Sequence, residues 1–307
     1  MPPTVTLTPL LMLAFGCGSN APEPPPPPPA SQDAAPLQVT STSFPADWLV
    51  ERIAGDLVRR VNIHPEGEDP ASWQPPASVV ASLADADLVV ANGAGFEAWM
   101  ATASLPADSV VRTASKLELI AIEEVTHSHG TGEHSHAGTD PHTWGDPTSF
   151  FVQARSAHAA LVAADPDHRV EFDENLRGLE RDLKHLTGRL AGATAHLGDA
   201  SLSANHPSFG YFARRFRLTI HPFDLDPAEP PSAEQLAAFA EWAKGKDRPV
   251  LLWESQPSDP VKAAFPPAVV HQYLDPLESP VEGVYDYMAQ AEANAGRLEA
   301  LLAPPAE

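Results

Sequence analysis

Five of the 13 histidines fall between His127 and His142. His127, His129, His134 and His136 form two His-x-His pairs among glycine, serine and threonine, and Asp140-Pro141-His142 follows them. Imidazole suits zinc, copper, nickel and cobalt, and small spacers leave a chain free to wrap a cation. A single histidine here would read as a solvated loop residue; four in two pairs predict metal capture. Thiolates play no part in such a site. Cys17 is the single cysteine, so neither an internal disulfide nor a cysteine-based zinc site can form.

Charge narrows the partners. The chain has 307 residues with 19 Lys+Arg against 41 Asp+Glu, a formal net charge of -22. Such a surface repels phosphate backbones, and with no local basic patch nucleic-acid binding is excluded. A hydrophobic content of 43% is that of an ordinary soluble protein.

The N-terminal segment reads as export machinery. Val5 to Gly16 is an apolar run, shorter than the ~20 residues that span a bilayer but the length of a signal-peptide core. It ends in Ala14-Phe15-Gly16-Cys17, similar to a bacterial lipoprotein cleavage box, although no Lys or Arg precedes it. This predicts a signal peptide over 1–16 and Cys17 as a lipid anchor. Residues 17–36 form a linker: eight of the 34 prolines lie between 22 and 36, six of them consecutive at Pro24–Pro29. As polyproline II, this spacer reaches about 60 Å.

The elements that must position the histidines follow from periodicity. From Leu37, strand and helix patterns alternate: strands over 37–43, 61–64, 87–92 and 109–113, helices over 45–57, 76–86 and 95–104. An irregular His-rich stretch, 123–144, leads into a helix over 147–164. Residues 168–197 read as one long helix, with Val170, Leu176, Leu179, Leu183, Leu186 and Leu190 mostly at three- and four-residue steps. Alternation resumes with strands over 201–205, 218–222, 250–254 and 269–274 and helices over 209–216, 232–244, 259–264 and 283–302. The expected fold is α/β: two lobes, each a mainly parallel sheet flanked by helices, joined by one long rigid α-helix. The lobes are expected over 37–166, with the His-rich loop at 123–139, and over 199–307, with the helix at 167–198 between them. Loops at strand C-termini would face the cleft.

Several motifs in order carry a resemblance. Asp140-Pro141-His142-Thr143-Trp144-Gly145-Asp146-Pro147 resembles the Asp-Pro-His-x-Trp-x-Asp-Pro segment of the periplasmic metal-binding subunits of zinc/manganese ABC transporters. Ala84–Gly93, Asn205–Phe212, Trp253–Pro257 and Tyr273–Leu277 resemble further segments of that family, and the His-rich loop is similar to that of its zinc-type members. The resemblance implies metal ligation by His142, His206 and Asp275. It also implies Zn²⁺ as the ion, with Mn²⁺ or another divalent transition metal less favoured, a membrane ABC permease as partner, a monomer, and no catalysis. The implied location is the periplasm or the outer face of the cytoplasmic membrane.

One position departs from the family. Where its first ligand histidine stands, this chain has Ala71 in Gly67-Glu68-Asp69-Pro70-Ala71, and alanine cannot bind a metal. Three protein ligands plus water would suffice for zinc; otherwise Glu254 or one of His127, His129, His134 and His136 could fill the gap, and His64 reads as a strand-end residue. Two other functions stay open. A zinc hydrolase could use two histidines and a carboxylate, although no His-Glu-x-x-His or nucleophile elbow is present. A divergent sensor or adhesin would explain Ala71.

Overall fold

The computed structural model describes residues 35–301 apart from 66, 69, 71, 123–125, 130–131, 136–137, 198–199 and 282; for 126–129 and 132–135 it describes the backbone alone. Cys17, Ala71 and His136 lie outside the described residues. From Pro36 onward the chain forms one compact unit.

Two parallel sheets carry the architecture. β1 (Gln38–Ser41), β2 (Arg59–Asn62), β3 (Leu88–Ala91) and β4 (Val110–Arg112) pair in the order β2-β1-β3-β4. After the hairpin β5 (Thr126–His129) and β6 (Gly132–Ser135), the strands β7 (Leu202–Ala204), β8 (Ile220–Pro222), β9 (Val250–Trp253) and β10 (Val270–Tyr273) pair in the order β10-β9-β7-β8. The central strands β3, β7 and β9 are buried at every residue. Parallel sheets covered on both faces require such continuous apolar runs.

Helices α1 (Phe44–Ala54), α2 (Ala77–Ser82) and α3 (Pro147–Ala164) accompany the first sheet in sequence. Helices α5 (Gly210–Phe216), α6 (Ala233–Ala243), α7 (Asp259–Ala263) and α8 (Tyr287–Ala300) follow in the second half. Between the halves runs α4 (Arg169–Thr194), 26 residues and so about 39 Å long. Phe172, Leu179, Leu183, Leu186 and Leu190 form its buried stripe, which packs against α1, α3 and α8. Leu88 and Val90 of the first sheet and Leu202 and Leu252 of the second belong to the same core cluster as this stripe. One core therefore continues from sheet to sheet through α4.

Three segments differ from their sequence patterns. Residues 95–104 form only a 3₁₀ turn at Ala98–Ala101. Gly93, Ala94 and Gly95 all have left-handed φ (78°, 53° and 88°), which breaks an α-helix before it starts. The last helix begins at Tyr287, where Asp286 caps the Met288 N–H, rather than at 283. The His-rich stretch contains an antiparallel hairpin whose register sets His127 opposite His134.

Candidate metal site

In each sheet the order reverses between the first strand and the third, β1/β3 in one and β7/β9 in the other. Such switch points open a crevice at the strand C-termini. Asn92 and Gly93 lie directly beyond β3, Asn205 and His206 beyond β7, and Glu254 beyond β9.

Asn92 builds the first half. Its side-chain amide donates to the Pro141 carbonyl (2.9 Å) and accepts from the Thr143 hydroxyl (2.9 Å) and the Gln153 amide (2.6 Å). The backbone on either side of His142 is thereby fixed. Asn92 is held in turn by Glu97, whose carboxylate accepts from the N–H groups of Asn92 and Gly93 and from the Thr42 hydroxyl. Burial pushes the Glu97 carboxyl above its ordinary range, against the lowering effect of those bonds. The left-handed run at 93–95 is what wraps the chain around this carboxylate.

His142 is 2% exposed. Asp140, wholly buried, accepts from both the His142 N–H (2.9 Å) and ring Nδ1 (2.8 Å) through Oδ1. A carboxylate against Nδ1 favours the tautomer that carries the ring proton on the side facing Asp140. The His142 ring also packs edge-on against Trp144, 5.5 Å between centres.

Asn205 builds the second half. Its N–H donates to the Leu252 carbonyl and its Nδ2 to the Leu225 carbonyl, while its Oδ1 accepts from the Glu254 N–H. His206, 2% exposed, follows directly; its ring centre lies 5.9 Å from that of His142, with the planes at 87°. Two imidazoles sharing one tetrahedral zinc place their centres about 5 Å apart, so the pair is slightly open. Glu254 approaches His206 from the Nδ1 side, with its Oε1 at 3.9 Å.

Asp275 lies two residues beyond β10 and is 4% exposed. Its Oδ1 accepts from the Leu277 N–H (2.8 Å), and Asn294 brackets its backbone. Burial raises its carboxyl above the ordinary range. Glu278, three residues on, brings Oε2 to 3.8 Å from His142 Nε2. As it stands, no group of three His, Cys, Asp or Glu side chains among the described residues is close enough to hold an ion.

His142, His206, Glu254 and Glu278 are thus brought into one neighbourhood. His64, beyond β2, instead packs its ring edge-on against Trp73 (5.3 Å). Sequence reasoning missed Asp140, Asn92, Glu97 and Glu278. Asp140 alone carried a signal, as a carboxylate two residues before the histidine it orients.

Two ties join the halves beside the histidines. Trp144 Nε1 donates to the Pro276 carbonyl (2.8 Å), and the Tyr287 hydroxyl donates to the Trp144 carbonyl (2.6 Å). Arg215 of α5 places Nε and Nη2 on the two oxygens of Asp146 (2.7 and 3.2 Å), the residue that caps α3. Arg215→Ala leaves the buried Asp146 carboxylate without its fork and is expected to cost about 2 kcal/mol in denaturant unfolding. Unchanged stability would show the tie to be idle.

Two parallel α/β sheets, a long connecting helix and histidines at facing switch points define a two-lobe solute-binding architecture. Residues 39–301 match the family model described as zinc-uptake complex component A, periplasmic (ZnuA), and the chain belongs to this family. It is 29% identical over 259 residues to the high-affinity zinc uptake system protein ZnuA of Bacillus subtilis, covering 81% of this chain and 79% of that one. The zinc-binding lipoprotein AdcA of Streptococcus pneumoniae is 25% identical over 256 residues, 80% of this chain and 51% of that longer protein. A crystal structure of ZnuA superposes with a TM-score of 0.69 at 26% identity, covering 86% of this chain and 98% of that one.

Proposed function

We propose that this protein captures Zn²⁺ outside the cytoplasm and delivers it to an ABC permease, with His142, His206 and Asp275 as ligands. The observation that carries this reading is the buried, nearly perpendicular pair of His142 and His206, one from each half, with the His142 ring oriented by Asp140. Family membership supports the role, since relatives are named as zinc uptake and zinc-binding proteins. A binding role rather than catalysis is consistent with that membership. The relatives named lipoproteins support Cys17 as an anchor and residues 17–36 as its tether. The His-rich hairpin would gather zinc near the site.

Two imidazoles and one carboxylate leave net +1 on the bound ion, and such borderline donors select transition metals over Mg²⁺ and Ca²⁺. Because α4 shares one core with both sheets, loading is expected to draw loops inward rather than swing lobes.

Titrating the metal-free protein with zinc against a chromophoric chelator tests the reading. One tight equivalent is expected, with any hairpin sites weaker. Affinity should fall below about pH 6, because both imidazoles must be neutral to donate. The raised Asp275 carboxyl takes up a proton at higher pH than an exposed one, so it adds to this loss on acidification. Absence of a tight equivalent at neutral pH would sink the proposal.

A further inference from the structure

A second cavity, away from the histidine pair, lies between α3, α4 and the 3₁₀ turn Thr113–Lys116 that follows β4. It measures about 460 Å³ and is lined by Lys116, Val152, Arg155, His158, Ala159 and Leu176. Small-molecule sites span roughly 300–1,000 Å³. We propose that this cavity binds a phosphate monoester, with the phosphate held by Lys116 and Arg155 and the organic arm over Val152, Ala159 and Leu176. The proposal does not depend on the zinc reading, because none of these residues belongs to the metal site.

The carrying observation is the sign of the lining. The chain has a formal net charge of -22, yet among the described residues the ionisable groups of this cavity are a lysine, an arginine and a histidine, with no carboxylate. Neither Lys116 nor Arg155 is in an ion pair among the described residues. A phosphate monoester carries about −1.5 to −2 charges at neutral pH, which matches two cations, whereas a carboxylate matches one. The Arg155 fork suits two phosphate oxygens, and Lys116 adds a point charge. Both side chains are exposed, so the head enters from solvent. The other half of the lining is apolar and suits an organic arm.

The walls are fastened to one another. Val152, Arg155 and Ala159 recur at three- and four-residue steps and so share one face of α3, beside the buried stripe of Phe150, Ala154, Ala157 and Leu161. Gln153 Nε2 donates to the Thr113 hydroxyl (3.0 Å), which ties the turn bearing Lys116 to the helix bearing Arg155. His158 Nε2 meets Asp173 Oδ1 of α4 (2.8 Å), which ties α3 to the helix bearing Leu176. Asp173 is the nearby acid, but it is engaged by His158 and by Arg169 (3.7 Å) and is not part of the lining. Two bonds between three elements therefore set the cavity before any ligand arrives.

The test uses the full metal-free chain, so that no bound zinc can take up phosphate. The probes are hexyl phosphate, hexanoate, inorganic phosphate, and phosphatidylcholine vesicles with or without phosphatidic acid. Calorimetric titration with hexyl phosphate is expected to show one site with Kd below about 1 mM. Inorganic phosphate, which lacks the arm, is expected to bind at least about tenfold more weakly, and hexanoate at least about fivefold more weakly. Ala159→Glu places a carboxylate one turn from Arg155 at an exposed helical position, and Lys116→Ala with Arg155→Ala removes both cations. Each is expected to weaken hexyl phosphate at least about tenfold. Arg181→Ala, an exposed cation of α4 outside the lining, is expected to change nothing. Unaltered melting and zinc affinity in all variants establish that they fold. The vesicles separate the two sources of the ester. Sedimentation with phosphatidic acid vesicles that Ala159→Glu abolishes identifies a lipid head group; hexyl phosphate binding without it identifies a soluble ester. The proposal is overturned if neither probe shows binding that Ala159→Glu and the double variant both remove. Equal affinity for hexanoate overturns the phosphate assignment, and equal affinity for inorganic phosphate overturns the arm.

Discussion

Zinc affinity is expected to fall by about 10²–10³-fold in His142→Ala and by about 10–100-fold in Asp140→Ala. The larger figure divides the ~10–16 kcal/mol of a zinc site among four ligands, about 2.5–4 kcal/mol each. The smaller one is the cost of an unoriented ring. Asp140 holds His142 at two points, the backbone N–H and Nδ1. Its loss frees both the ring rotation and the tautomer. Asp140→Asn keeps an accepting oxygen at the same place and loses only charge, so it is expected to lie between wild type and Asp140→Ala. Chelator competition at neutral pH reads all three. Equal losses in His142→Ala and Asp140→Ala would mean that Asp140 is itself a ligand.

The contrast between these residues marks what a linear sequence can carry. The long helix was legible because the buried leucines of α4, Leu179 to Leu190, recur at three- and four-residue steps over about three turns. The central strands were legible because parallel strands buried on both faces leave apolar runs such as Leu88–Ala91. His142 and His206 were legible through motifs with fixed neighbours. Glu97 was not, because it is spent on two backbone N–H groups and a hydroxyl from Thr42, a partner 55 residues earlier. Glu278 was hidden differently. Its approach to His142 depends on the left-handed Leu277, and no spacing rule anticipates a leucine with positive φ. The hairpin at Thr126–Ser135 was missed because its strands alternate polar with polar, and strand recognition depends on an apolar face.

Gly210→Ala is expected to disturb stability and zinc binding together, through a single contact. A Cβ at Gly210 would lie 2.2 Å from Asp140 Oδ2 and 3.5 Å from Ile120 Cδ1. A flexible surface side chain could move aside. Asp140 cannot, because it is wholly buried and its other oxygen holds His142. The alternative is to shift α5, but Arg215 ties that helix to Asp146 and the Tyr211 hydroxyl accepts from the Ile120 N–H. Either route costs about 1–3 kcal/mol of overpacking, and a displaced Asp140 lowers zinc affinity about as far as Asp140→Ala does. Gly188→Ala in α4 is the matched control. Its Cβ meets nothing within 4 Å, so it is expected to gain about 0.5–1 kcal/mol from helix propensity and to bind zinc normally. Combining the substitutions isolates the cause. In Asp140→Ala the obstructing oxygen is gone, so adding Gly210→Ala should cost much less there than in wild type, a coupling that unfolding of the four proteins measures directly. Additive losses would place the damage in α5 itself, and the route from Gly210 to the metal through Asp140 would fail.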